Sequence, residues 1–127
     1  MRMIQRGVFF LSFALLLTAC SSITNLTPSR QARNAAGLYP VEVAWQTREQ
    51  AIRPASVTPL VLVGLESYAM KPTPLVSNRW ETLIPVPLDK NAVRYRFKVD
   101  YEVNAIPARR KNSLLSPEYK LEIIEKK

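Results

Sequence analysis

The sequence lacks histidine altogether, and its 127 residues include a single cysteine, Cys20. Histidine is the commonest general base and the commonest metal ligand, so its absence excludes the usual Ser-His-Asp and Cys-His catalytic arrangements. Zinc sites of the ordinary Cys and His type are excluded for the same reason. We therefore expect no metal and no cofactor, and we assign no catalytic residue.

Glycine is scarce as well, with only Gly7, Gly37 and Gly64. A phosphate-binding loop needs closely spaced glycines, which these isolated residues cannot supply. Asp100 and Glu102 lie two residues apart on one predicted strand face, but arginine and lysine flank them there. Cross-strand ion pairs are more typical of such a face than a catalytic carboxylate pair. The sequence predicts that the protein is not an enzyme.

The position of Cys20 follows a pattern of three parts. Arg2 and Arg6 make the first residues basic, residues 7–17 (G-V-F-F-L-S-F-A-L-L-L) are apolar, and Thr18 and Ala19 are small. This is the layout of a secretory signal. The apolar run is shorter than the roughly 20 residues that a membrane-spanning helix needs.

The stretch Leu17-Thr18-Ala19-Cys20 resembles the lipobox of bacterial lipoproteins. This resemblance implies a diacylglyceryl group on the Cys20 sulfur, cleavage before Cys20 and acylation of the new amino terminus. Several acyl chains anchor a protein stably, whereas one binds reversibly. Ser21 in place of aspartate implies an outer-membrane lipoprotein that faces the periplasm.

The chain divides into three predicted parts. Residues 1–19 are a cleaved lipoprotein signal peptide, and residues 20–35 are the lipidated cysteine and a polar, flexible tether. Residues 36–127 are one folded domain that must rest on its own core, because no second cysteine is present for a disulfide.

Alternation of apolar and polar residues predicts strands in this domain. Residues 39–45 and 94–103 alternate strictly, and residues 119–123 do so more briefly. The apolar run 59–66 predicts a central strand buried on both faces. Pro85 and Pro87 predict that residues 79–87 form an edge strand or one that ends by Ile84.

About six or seven such strands without a helical period predict an all-β fold, an antiparallel immunoglobulin-like sandwich similar to fibronectin type III. Tyr95 stands early in the penultimate strand. It is either the tyrosine whose hydroxyl bonds back to the preceding corner or simply a core aromatic residue, and the sequence leaves both open.

Residues 61–100 resemble the glycogen- and starch-binding modules related to those of AMP-activated kinase. The shared features are a strand ending in Gly64, then N-R-W-E-T-L-I-P-V-P, then V-R-Y-R-F-K-V-D. The resemblance implies an early-set immunoglobulin-like fold and, as an alternative function, carbohydrate binding. The sugar-stacking tryptophan segment of that family is replaced here by L-E-S-Y. Tyr68 and Trp80 are the remaining stacking candidates, although the phase of Trp80 with Ile84 favours burial.

Basic residues supply the other candidate contact surface. Arg109, Arg110 and Lys111 are expected in a loop between the last two strands, where a patch would also include Arg94, Arg96 and Lys98. The alternative is an ordinary solvated face. We expect no nucleic acid partner, but another envelope protein, met through a sheet edge or loops, or a glycan or anionic lipid. The sequence thus predicts a non-enzymatic, membrane-anchored envelope lipoprotein that serves as an interaction or structural module, or alternatively a carbohydrate-binding module.

Overall fold

The structure is a computed structural model that describes residues 21–47, 51–105 and 108–125. These residues form ten β-strands: β1 Ser21–Asn25, β2 Arg30–Ala32, β3 Leu38–Thr47, β4 Thr58–Val63, β5 Glu66–Ala69, β6 Lys71–Pro72, β7 Arg79–Pro85, β8 Ala92–Val103, β9 Arg110–Leu115 and β10 Tyr119–Ile124. A short 3-10 helix, Pro54–Ser56, precedes β4. No helix within these ranges is long and apolar enough to cross a membrane. The predicted signal peptide and Cys20 lie outside the described residues.

The strands form two sheets with the order of the immunoglobulin fold. One sheet runs β1-β3-β7-β6, and the other runs β2-β10-β8-β4-β5, with β9 paired to β8. In immunoglobulin lettering the first is A-B-E-D, and the second contains G-F-C, with G divided into β9 and β10. The predicted all-β, immunoglobulin-like sandwich is confirmed.

The core lies between the sheets and is built from the alternating positions. Alternate residues of β3, of the middle of β8 and of β10 are fully or nearly fully buried: Tyr39, Val41, Val43, Trp45, Tyr95, Phe97, Val99, Leu121 and Ile123. The residues in phase with them towards the strand ends, Val93, Tyr101, Val103 and Tyr119, are half-buried. Val61, Met70, Ile84 and Val86 complete the layer. Burial of each large side chain contributes about 1.5–3 kcal/mol. The strict alternation is therefore what fixes which face of each strand turns inward.

Strand β4 is central in its sheet, between β5 and β8, but it is not buried on both faces as predicted. Leu60 and Leu62 are half-buried on its outer face. Their cross-strand partners are Lys98 and Arg96. A sandwich has only two layers, so the outer face faces solvent and long basic side chains cover its apolar residues in part.

Strand β7 lies between β3 and β6 and is not the outermost strand of its sheet. Strand β6 pairs only with Trp80 and Glu81, whereas β3 pairs along the whole of β7. Pro85 ends the strand, where its missing N–H costs no ladder hydrogen bond.

Two strands lie where the sequence predicts a flexible tether. Strand β1 pairs antiparallel with β3 from Ser21↔Thr47 to Asn25↔Val43, and β2 pairs in parallel with β10. Both are short and mostly polar, so pairing with a neighbouring strand, not an apolar pattern of their own, stabilises them. The described fold thus begins at Ser21, immediately after Cys20.

Tyr95 is a core residue whose hydroxyl is used across the sandwich. It is almost fully buried, and its hydroxyl oxygen accepts a hydrogen bond of 2.8 Å from the Asn25 side-chain amide in β1. Of the two alternatives for this tyrosine, the structure supports the core aromatic residue, because the bond joins β8 to the first strand and not to the preceding corner.

Candidate interaction surfaces at the two ends of the sandwich

The two ends of the sandwich are defined by where strands begin and end. The lower end comprises Ser21 at the start of β1, Thr47 at the end of β3, the β6–β7 loop 73–78 and Val103 at the end of β8. The upper end comprises residues 33–37, the turn 64–65, residues 86–91 and the end of β10. The rings of Trp45 and Tyr101 pack 5.4 Å apart between the sheets, so both sheets end together at the lower end.

The β6–β7 loop presents apolar side chains to solvent at the lower end. Leu75 is fully exposed, and Val76 is nearly half exposed. The loop is closed by a hydrogen bond of 2.9 Å from the Thr73 N–H to the Arg79 carbonyl oxygen. Leu75 has φ +64°, a left-handed conformation that costs a residue with a side chain roughly 1–2 kcal/mol. The fold therefore holds this leucine outward at a conformational cost.

Four exposed basic residues also lie at the lower end, and we call them the lower cations. Arg79 begins β7, Arg109 precedes β9, and Arg110 and Lys111 are the first residues of β9. Arg110 and Lys111 pair with Val103 and Glu102 of β8, so only Arg109 lies in the loop where all three were expected. Within the described part of the chain, none of the lower cations forms an ion pair.

The other three predicted basic contacts are separated from the lower cations and are paired. Arg94 and Arg96 each lie 3.4 Å from a carboxylate oxygen of Glu118, and Lys98 lies 3.6 Å from Asp100. Arg94 is nine residue steps of extended strand from Val103, the cross-strand neighbour of Arg110, which is roughly 30 Å. The structure thus does not join the six basic residues into one patch.

Arg33 ties the upper end together, although sequence reasoning placed it in the tether. Its side chain is only 14% exposed, and its guanidinium donates to Glu125 Oε1 at 2.7 Å and to the Lys90 carbonyl oxygen at 2.9 Å. The hydrogen bond between the two side chains, aided by their attraction, raises the pKa of Arg33 and holds the pKa of Glu125 below its ordinary value. No pattern in the sequence singles out this arginine, because its partners are brought together by the fold.

The upper end also exposes two leucines. Leu65 is fully exposed in the two-residue hairpin between β4 and β5, whose first residue, Gly64, has φ +59° as such turns favour. Leu88, about three-quarters exposed, lies in the β7–β8 connection. Gly64 and Lys90 line the same shallow cleft of about 500 Å³, which places these two turns side by side.

Tyr68 and Trp80, the predicted sugar-stacking residues, turn towards the core. Tyr68 pairs with Val61 and Trp80 with Val43, and both valines are fully buried. Both aromatic side chains are half-buried and pack against the core cluster. Sugar stacking needs an open ring face, so this geometry favours the packing alternative for Trp80.

A second shallow cleft, of about 600 Å³, lies over β8 and β9 and contains Asp100, Glu102 and Ser113. The Ser113 hydroxyl donates a 2.9 Å hydrogen bond to Asp100, and Arg53 pairs with Glu102 at 3.0 Å. Both carboxylates are thus engaged in polar contacts of the sheet. Among residues 21–47, 51–105 and 108–125, no three potential metal-ligand side chains come together.

No protein-family model matches the sequence. None of the curated proteins matches it either. Among solved structures, murine CRIg is similar over 84% of this chain and 99% of that chain, with 15% sequence identity and a TM-score of 0.41.

Proposed function

We propose that this protein is a non-enzymatic lipoprotein of the bacterial envelope, anchored through acyl chains on Cys20, in which the immunoglobulin-like sandwich is an interaction module. The lipobox sequence and the isolated cysteine support the anchor. The paired carboxylates and the absence of histidine support a role other than catalysis.

The arrangement of the two ends carries the proposal for the interaction. Leu65 and Leu88 are exposed in adjacent turns at the upper end. Ser21, the residue after the proposed anchor, begins β1 at the lower end. Exposed apolar side chains grouped on one surface mark docking sites for proteins. A protein anchored at Cys20 would therefore present the upper end to the periplasm, where another envelope protein is the partner we propose.

The anchor is tested by replacing its cysteine. Cys20→Ser should abolish incorporation of a clickable fatty acid and shift the chain out of the stably anchored membrane fraction. Ser21→Ala is the matched control and should leave labelling intact. Continued acyl labelling of the Cys20→Ser chain would contradict the anchor.

The partner surface is tested by photo-crosslinking in intact cells. A photoreactive amino acid at position 65 or 88 should give a discrete crosslinked protein, and the same group at Leu83, an exposed residue of β7, is the control. Crosslinks of equal yield from position 83, or none from positions 65 and 88, would contradict the upper end as the docking surface.

A further inference from the structure

We propose that the lower end is a membrane-contacting surface for anionic phospholipid, with Leu75 and Val76 at the headgroup boundary and the lower cations facing lipid phosphates. This inference rests on the proposed anchor at Cys20, and it adds an orientation and a second contact that acylation alone does not supply.

The connection to the anchor places the lower end next to the bilayer. Ser21 is already the first residue of β1 and pairs with Thr47 at the lower end. One peptide link, about 3.8 Å between Cα atoms, separates it from Cys20. An acylated cysteine at this position leaves no spacer that would lift the domain away from the lipid headgroups.

The charges at the lower end suit a negatively charged surface. Arg79, Arg109, Arg110 and Lys111 are all exposed and have no ion-pair partner among the described residues. The nearby carboxylates Asp100 and Glu102 have partners of their own. Each basic residue held near an anionic membrane strengthens binding by roughly fivefold.

The apolar loop alone would not distinguish the two ends, because Leu65 is as exposed at the upper end as Leu75 is at the lower end. The upper turns carry Glu66 and Asp89 beside Lys90, and Arg33 is already paired with Glu125. Among the described residues, only those at the lower end combine exposed apolar side chains, cations without an ion-pair partner and a direct chain connection to Cys20. That combination is typical of peripheral membrane contacts.

The orientation is tested with a probe at each end of the acylated full-length protein. Acylation consumes the single native thiol, so Leu75→Cys or Leu65→Cys provides a unique site for an environment-sensitive fluorophore. The protein is reconstituted into vesicles of phosphatidylcholine with phosphatidylglycerol, with nitroxide lipids at headgroup depth. Quenching at position 75 should be several times stronger than at position 65. Equal quenching, or stronger quenching at position 65, would overturn the proposal.

The charge contribution is tested with two matched triple variants that carry the Leu75→Cys probe. Neutralising Arg109, Arg110 and Lys111 with glutamine should remove the part of the quenching that depends on phosphatidylglycerol. Neutralising Arg94, Arg96 and Lys98 removes the same charge from the ion-paired face and should leave the phosphatidylglycerol-dependent quenching unchanged. An equal loss in both variants would overturn the assignment of the lower cations.

Failure of the anchor and failure of this surface are distinguishable. The probe comparison is repeated on a Cys20→Ser chain added to the same vesicles, where binding through the lower end does not depend on acyl chains. Continued acyl labelling of the Cys20→Ser chain contradicts the anchor, and stronger quenching at position 75 than at position 65 in that chain still supports the surface. Acylation with equal quenching at both positions supports the anchor and overturns the surface.

Discussion

The two ends of the sandwich use the same backbone conformation with different residues. At the upper end, Gly37 and Gly64 have positive φ angles, whereas at the lower end Leu75 and Asn78 do. Glycine adopts this conformation at little steric cost, and leucine does not. The difference indicates that the upper turns follow local backbone preference, while the lower loop keeps a large apolar side chain exposed against it.

Hydrogen bonding differs in the same sense. At the upper end the Asn34 side chain accepts from the Gly37 N–H at 2.7 Å and donates to the Leu38 carbonyl oxygen at 2.8 Å. The Val86 N–H then donates to the Gly37 carbonyl oxygen. The upper turn is thus closed by an asparagine side chain as well as by the backbone, whereas the lower loop is closed by backbone hydrogen bonds from Thr73 to Arg79 and from Trp45 to Asn78 and leaves Leu75 exposed.

The largest effect should come from the packing beneath the lower loop. Trp45 is 4% exposed and packs on Tyr101, so Trp45→Ala should lower the free energy of unfolding by about 3–5 kcal/mol. Urea unfolding followed by Trp80 fluorescence measures this, and a double-mutant cycle with Tyr101→Ala isolates the ring pair. A loss below about 1 kcal/mol would mean that the whole lower end is loosely packed, so that the exposure of Leu75 would not be specific to the β6–β7 loop.

The second effect concerns the upper turn. Gly37→Ala should lower the free energy of unfolding by about 1–2 kcal/mol, because alanine disfavours φ +69°. Steric clash contributes little, since the nearest atom to the new Cβ, the Val86 carbonyl oxygen, is 3.6 Å away. Denaturant unfolding checks the value. An unchanged denaturation midpoint would show that the turn accommodates alanine without a cost. A positive φ angle would then not distinguish Gly37 from Leu75 in energy.

The third effect has the opposite sign. Leu75→Gly removes the steric cost of a leucine in the left-handed conformation, but it also adds backbone freedom to the unfolded chain. The free energy of unfolding should therefore rise by up to about 1 kcal/mol. Leu65→Gly is the control: Leu65 is equally exposed but lacks a positive φ, so the same substitution should destabilise by about 0.5–1 kcal/mol. Thermal unfolding of both variants in parallel tests the comparison. A change in Tm of the same sign in both variants would contradict it.

The smallest effect depends on pH and on the ion pair of Arg33 with Glu125 at the upper end. Because Arg33 holds the pKa of Glu125 below its ordinary value, the ionised carboxylate favours the folded state above the pKa of the unfolded chain. This contribution is lost as the pH falls through the lowered, folded-state pKa. Glu125→Gln should therefore lower Tm slightly at pH 7, and the difference from wild type should vanish in acid. A difference that persisted at low pH would assign the effect to hydrogen-bond geometry and not to charge.

The parts of the fold that followed from the sequence are those in which one face is buried. The alternation of Tyr95, Phe97 and Val99 identifies β8 because burial selects every second residue. The strands β1 and β2 could not be predicted in this way, since their stability comes from neighbours distant in the sequence. The prediction that both faces of β4 are buried was wrong, because the apolar residues Leu60 and Leu62 do not reveal that the fold has only two layers.

The candidate surfaces were less predictable than the fold. The six basic residues are exposed or half-buried, which a contact surface and an ordinary solvated face both require. Their grouping depends on strand register and ion pairing, which charge counts do not contain. Leu75 has no distinguishing sequence context, because its positive φ angle and its exposure at the same end of the sandwich as Ser21 come from the fold. Arg33 was missed because its partners Lys90 and Glu125 meet it only in the folded chain.

The antiparallel pairing of β1 with β3 has a mechanical consequence. A pull between an anchor at Cys20 and a partner at the upper end would act along the length of β1. Its five register pairs with β3 would then carry the load together in shear, because ladder hydrogen bonds run perpendicular to the strands. A strand peeled from its end would lose these pairs one at a time. With the proposed anchor on Cys20, β1 would therefore pass a pulling force to the sandwich as shear along its whole length.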